Sequence, residues 1–224
     1  MDIKGLKVNF LGDSITEGSG VVNKENCYQN RLAVLCGLSA VNNYSIGGTR
    51  LAHQRVPSEN PRYDLCFCGR AFNMDTGADM VIVYGGVNDF IHGDAPFGEP
   101  GDTTPATYCG GVYFLMHYLR QTYGSKPILF MTPARCFLRH EVSDLLPSTH
   151  AKKTLPGKPL LDYVQVIQET AKQFDIPVLD LYHDLGLDPH DEATFNTYTA
   201  DGLHFNDAGH GVIAEKLKAF IEAL

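Results

Sequence analysis

Four short blocks of this 224-residue chain hold the residue types that acyl transfer needs. They are Gly12-Asp13-Ser14, the stretch from Asn43 to Gly48, Gly85-Gly86-Val87-Asn88-Asp89, and Asp201-Gly202-Leu203-His204. A serine hydroxyl is a weak nucleophile and needs a base to take its proton. His204 can be that base, because an imidazole titrates near neutral pH. Asp201, three residues earlier, can accept from the other ring nitrogen and fix the tautomer. A tetrahedral intermediate also needs donors aimed at its oxygen. The Ser14 N–H at a helix start is one. The Gly48 N–H, which a ligand can approach closely, is a second. The Asn88 side-chain amide is a third, a neutral donor that does not compete as a base. Taken singly, each block has a plainer reading as a turn, a helix cap or a surface histidine. Their weight comes from occurring together, each after its own element.

The elements that must hold them are legible as alternating β and α patterns. Strands are expected at 6–11, 40–45, 79–84, 127–132 and 176–181. The runs at 78–84 and 127–131 are almost wholly apolar, which suits strands covered on both faces. Helical offsets of three and four align Val112, Leu115, Met116, Leu119 and Tyr123 on one face. They do the same for Leu160, Leu161, Val164, Ile167, Ala171 and Phe174, and for Val212, Ile213, Leu217, Phe220, Ile221 and Leu224. All three stripes read as core. This alternation predicts a single α/β domain over 1–224, a three-layer α/β/α sandwich on a five-stranded parallel sheet of order 2-1-3-4-5. In such sheets ligands bind beyond the carboxyl ends of the strands. The four blocks fall at or near those ends. Two long segments, 91–107 and 133–157, follow strands on the same side and read either as substrate walls or as solvated connections.

With those residues in view, the chain resembles the SGNH/GDSL hydrolase superfamily, named for Ser, Gly, Asn and His in separate blocks. Gly12-Asp13-Ser14 matches the first, with Ile15 in place of the usual Leu. Asn43 to Gly48 matches the second, with the family's oxyanion glycine on Gly48. Gly86-Val87-Asn88-Asp89 matches the third, and Asp201 with His204 the last. The resemblance spans nearly the whole chain. It implies a flavodoxin-like sandwich and ester hydrolysis by a Ser14–His204–Asp201 triad, with Ser14, Gly48 and Asn88 as oxyanion donors and no metal or cofactor. No G-x-S-x-G elbow, phosphate-binding loop or H-E-x-x-H zinc helix competes with it.

Composition narrows the partners. A net charge of −8 speaks against a nucleic-acid surface, which needs clustered Lys and Arg. No apolar run is long enough to span a bilayer, and no secretory leader is visible, so a cytoplasmic location is the expectation. The six cysteines are irregularly spaced and read as free thiols. The expected substrate is a carboxylic ester of a small molecule or carbohydrate, with a short acyl group such as acetyl. The alternatives are an acylhydrolase of longer chains, an acyltransferase, and a carbohydrate-binding protein without turnover. Asp13, Arg50, His53, Phe90, His92 and Phe205 flank the blocks and are carried as substrate-contact candidates. Loop bracing is the competing reading for Asp13 and Asp89, a solvated loop position for Arg50, His53, His92 and Asp94, and the core for the two phenylalanines. His210, six residues past His204, reads as structural.

Overall fold

Five strands, β1 Lys7–Gly12, β2 Ala40–Asn43, β3 Met80–Tyr84, β4 Ile128–Met131 and β5 Val178–Leu179, form one parallel sheet in a computed structural model that describes residues 1–137 and 158–224. The strand order is β2-β1-β3-β4-β5, as the pattern predicts. Registers such as Leu11 opposite Val83 and Val83 opposite Phe130 keep the carboxyl ends of β1, β3 and β4 level.

Period-two alternation sorts the strand side chains into two cores. Val81, Val83, Ile128 and Phe130 join one cluster with Leu11. Met80, Ile82, Tyr84, Leu129 and Met131 join the other with Val8 and Phe10. The first cluster is roofed by α3 (Phe67–Ala71), α5 (Tyr108–Tyr123) and α6 (Leu160–Lys172). The second is roofed by α2 (Tyr28–Cys36) and α9 (Asp207–Ala223). Three short helices follow strands: α1 (Ser14–Glu17) and α4 (Val87–Ile91) follow β1 and β3, and α7 (Leu181–Asp184) follows β5. A further helix, α8 (Glu192–Tyr198), precedes α9. The α5 stripe is buried throughout, whereas Leu224 at the end of the last stripe is exposed.

β2 and β5 each stop two residues before the pattern predicts. β2 stops at Asn43, whose Oδ1 accepts from the Ser45 N–H and turns the chain. β5 holds only Val178 and Leu179, because Asp180 caps α7 by accepting from the His183 N–H. Within segment 91–107, Phe97 packs against Tyr108 and edge-on against Tyr163 on the α5–α6 face, whereas Ile91 and His92 line a cleft beside Ser14. The wall expected at 133–157 falls, beyond Phe137, outside the described residues. All six cysteines are free thiols. Among the described residues no helix is long and apolar enough to cross a membrane, and no cluster of three or more His, Cys, Asp or Glu is placed to hold a metal ion.

Candidate active site

The chain leaves β1 at Gly12 and enters α1 at once. Asp13 is the cap, accepting from the Ile15 N–H at 3.0 Å, so Ser14 becomes the first residue of the helix. Nothing wide fits around this turn: a side chain at Gly47 would come within 2.8 Å of Glu17 Oε2 and 3.3 Å of Ser14 Cβ. Gly48 has φ +74°, the left-handed region that favours glycine. The two glycines therefore have different duties. The Gly47 N–H donates to Glu17 Oε2 at 2.8 Å and is committed to the protein. Gly48 lines a cleft of about 220 Å³ together with Ser14, Asn88 and His204.

His204 arrives from the far end of the sequence. An antiparallel bridge between Thr199 and Phe205, with the Ala200 N–H donating to the His204 carbonyl at 2.8 Å, folds 199–205 into a narrow loop. Inside it, Asp201 Oδ1 accepts from the Leu203 and His204 N–H groups at 2.9 and 2.7 Å. Asp201 Oδ2 lies 2.7 Å from His204 Nδ1, and His204 Nε2 lies 2.9 Å from Ser14 Oγ. A carboxylate only accepts, so Nδ1 carries the proton and Nε2 is left to accept from the serine hydroxyl. Burial pushes the Asp201 carboxyl up, but the hydrogen bond and charge of His204 and the two backbone donors outweigh it and hold it below the usual carboxylate range. Asp201 is thus kept ionised beside the His204 ring.

The remaining blocks are stitched to this corner. Asn88 Nδ2 donates to the Thr49 carbonyl at 2.9 Å. Asp89 accepts from the Leu51 and Ala52 N–H groups at 2.9 and 3.0 Å, tying the loop after Gly48 to the start of α4. The buried Arg70 donates to the Gly12 carbonyl at 3.0 Å and to Thr49 Oγ1 at 2.8 Å, and also reaches the Tyr44 carbonyl. One guanidinium thus braces the loops after β1 and β2. Burial lowers its pKa to about 10, against the pull of Asp13.

Of the substrate-contact candidates, only His92 lines the cleft. Asp13 is buried and faces inward as a cap; burial raises its pKa to about 6, against the Ile15 N–H bond and the charges of His204 and Arg70. Arg50 is buried behind the loop, donating to the Tyr63 carbonyl at 2.7 Å. His53 is exposed, its N–H donating to the Pro105 carbonyl, and does not reach the cleft. Phe90 packs edge-on against Tyr163 on the helical face. Phe205 is fully buried in the second core; adjacency to His204 turned it inward rather than toward the ligand. Asp94 braces a loop, accepting from the Arg55 and Val56 N–H groups at 2.7 Å each. His210 is structural: its Nδ1 accepts from the Tyr28 N–H at 3.0 Å and its ring stacks on Tyr28.

The other walls are Glu17, Ser19, Arg62, Tyr63, Ile91 and Leu203, none of which the sequence singled out. Glu17 stands one helical turn past Ser14, an offset that places both on one face of α1. Arg62 and Tyr63 come from a turn over Pro61–Asp64 that no motif marks. Arg62 pairs with Glu17 at the mouth. Another hollow, between Phe97 and Tyr113, holds no nucleophile–base pair.

The sequence profile of the GDSL-like lipase/acylhydrolase family matches residues 10–212. No curated protein sequence matches the chain. Among solved structures, a Lactobacillus plantarum protein is 30% identical over 98% of both chains, with a TM-score of 0.82. A lipase/acylhydrolase from Enterococcus faecalis is 20% identical, with 97% of this chain and 96% of that one covered and a TM-score of 0.59. A carbohydrate acetylesterase family member from Sinorhizobium meliloti is 15% identical, covers 97% and 98%, and has a TM-score of 0.64. The last two likenesses concern the fold.

Proposed function

This chain belongs to the GDSL-like lipase/acylhydrolase family, and on that premise we propose that it is a serine esterase acting on short-chain carboxylic esters of a small molecule or carbohydrate. The observation that carries the reading is the continuous chain from Ser14 Oγ through His204 to Asp201, at 2.9 and 2.7 Å. Both contacts are within hydrogen-bond reach for a nucleophile, its base and the group that orients the base.

Ser14 Oγ attacks the ester carbonyl while His204 Nε2 takes its proton. Negative charge moves to the former carbonyl oxygen. The N–H groups of Ser14 and Gly48 and the Asn88 amide receive it, and Asp201 stabilises the imidazolium. His204 then gives its proton to the leaving alcohol, and the carbonyl re-forms as an acyl-Ser14. Water attacks this ester with His204 again the base, releasing the acid and restoring the serine.

Two features support a short acyl group. A cleft of about 220 Å³ is small beside the roughly 300–1,000 Å³ of pockets that take drug-sized ligands. Its walls also mix Ile91 and Leu203 with Ser19, Glu17, Arg62 and Tyr63, which suits a polar alcohol more than a lipid tail. The test is a series of p-nitrophenyl acetate, butyrate, octanoate and palmitate. Turnover is expected on the first two, falling with length, and absent in Ser14→Ala. Serine-dependent turnover that peaks on palmitate would overturn the substrate reading, and an active Ser14→Ala would overturn the mechanism.

A further inference from the structure

Behind the Asn88 amide lies a line of buried side chains that the reaction above does not use. His92 follows the last residue of α4, one helical turn beyond Asn88, and its own N–H donates to the Asn88 carbonyl at 3.0 Å. That turn brings the two side chains together: His92 Nε2 lies 3.0 Å from Asn88 Oδ1. On the other side of the ring, Nδ1 lies 3.2 Å from Arg50 Nη1. The same Arg50 nitrogen donates to the Gly48 carbonyl at 3.3 Å. Asn88, His92 and Arg50 are 4%, 6% and 3% exposed, so water competes little for these contacts.

Donor and acceptor inventory fixes the protons along this line. A guanidinium has donors only. The His92 nitrogen that faces it must therefore accept, which makes His92 neutral with its hydrogen on Nε2. Nε2–H then donates to Asn88 Oδ1. With its oxygen held there, the amide must turn its nitrogen the other way. One Nδ2 hydrogen goes to the Thr49 carbonyl, and the second is left for the cleft that Asn88 lines. The opposite amide orientation would set donor against donor at His92 and acceptor against acceptor at Thr49.

We propose that His92, held by Arg50, is a positioning residue of the oxyanion hole, locking the Asn88 amide with its N–H toward the cleft and its oxygen away. The inference rests on the serine esterase reading. Donors at developing charge work because they are oriented before the charge appears. An amide free to turn presents a lone pair to the oxyanion for part of the time, or must be reoriented at the moment of reaction. Arg50 extends the same control to the Gly48 carbonyl, so one guanidinium ties together the two loops that carry oxyanion donors. His92 thus touches the cleft wall, but both ring nitrogens are engaged with protein groups that set the Asn88 geometry.

The test compares His92→Phe, His92→Gln, His92→Asn, Asn88→Ala and the double variant His92→Phe/Asn88→Ala on p-nitrophenyl acetate, with thermal melting to confirm folding. The Gln amide nitrogen falls near the Nε2 position, whereas the shorter Asn reaches only the Nδ1 position. His92→Phe and His92→Asn are expected to lower kcat on the order of tenfold with KM within about twofold, as misoriented groups do. His92→Gln recovers most of kcat. Asn88→Ala alone lowers kcat by about 10²–10³, the usual cost of one lost oxyanion donor. In that background the His92→Phe loss disappears, because there is no amide left to orient. Wild-type kcat in both His92→Phe and His92→Asn would overturn the proposal. So would a raised KM at unchanged kcat, which would make His92 a substrate wall, or a full tenfold loss repeated in the Asn88→Ala background. If the Phe variant does not fold, equal kcat in the Gln and Asn variants overturns it on its own. An active Ser14→Ala sinks the underlying esterase reading, whereas a Ser14-dependent enzyme indifferent to His92 sinks this inference alone.

Discussion

Asp201–His204 and Asp180–His183 share the Asp-x-x-His spacing, stand at the same end of the sheet, and close the same contact at 2.7 Å from Nδ1 to a carboxylate oxygen. Both carboxyls titrate below the usual range, burial being outweighed in each by bonds and charge from its histidine. Their surroundings then diverge. His204 is 18% exposed with Ser14 Oγ at 2.9 Å from Nε2, whereas the His183 side chain is 48% exposed. Asp180 also takes Gln168 Nε2 at 2.7 Å and Thr132 Oγ1 at 3.1 Å, so it fastens β4 and α6 to the start of α7. It follows β5, three strand positions from β1, which is roughly 14 Å at about 4.8 Å per strand. An Asp-x-x-His turn is therefore a way to orient an imidazole. Only a second element, arriving with a hydroxyl at Nε2, gives it the geometry the proposed mechanism needs.

The sharpest way to break this contrast is to remove each imidazole. His204→Ala is expected to lower kcat/KM by about 10⁴ or more, the scale seen when a triad base is lost. His183→Ala should leave it within about twofold. Equal losses, measured on p-nitrophenyl acetate, would mean that the wrong pair has been assigned. The carboxylates should separate next. Asp201→Asn is expected to cost roughly 10²–10⁴ in kcat by freeing the tautomer. Asp180→Ala should keep turnover and lose about 1–2 kcal/mol of stability with its cap and buried partners, read by urea unfolding.

A third carboxylate sharpens the comparison, because Asp13 is shifted in the opposite direction. Burial raises its pKa from 3.8 to about 6, so the native state binds more protons than the unfolded chain across that window. Stability contributed by Asp13 is therefore present below the unfolded value and falls as pH rises from about 4 to about 6, by about 3 kcal/mol in all. Asp13→Asn should flatten that part of the stability–pH profile; a slope unchanged in the variant would assign it to other groups. The smallest effect belongs to the mouth. Arg62→Ala breaks an exposed ion pair with Glu17, so KM should move by no more than about fivefold and kcat should hold.

The same contrast shows what a sequence can and cannot carry. The apolar runs of β3 and β4 were legible because two covered faces leave no room for polar residues. Strand order followed from β–α alternation, and Ser14, Gly48, Asn88, Asp201 and His204 were marked by their blocks. Asp180-Leu181-Tyr182-His183 has the same local pattern as the last block, and only position relative to β1 tells them apart. For Phe205 the sequence leaves wall and core open, and the structure takes the core because neighbouring residues point opposite ways: His204 faces Ser14 while Phe205 fills the core under α9. Arg62 and Tyr63 were not found because no local pattern says that a turn far along the chain folds back over Glu17. The His92–Asn88 contact was half legible as a four-residue helical offset, but its Arg50 partner depends on how the loop after Gly48 closes.

The most direct measurement of the central claim is intact-mass detection of a fluorophosphonate adduct on the wild type, Ser14→Ala and His204→Ala. The account predicts one adduct on the wild type, mapped to Ser14, none on Ser14→Ala, and labelling of His204→Ala slowed by orders of magnitude. Labelling of Ser14→Ala at the wild-type rate, or a wild type that stays unlabelled while cleaving esters, would contradict it.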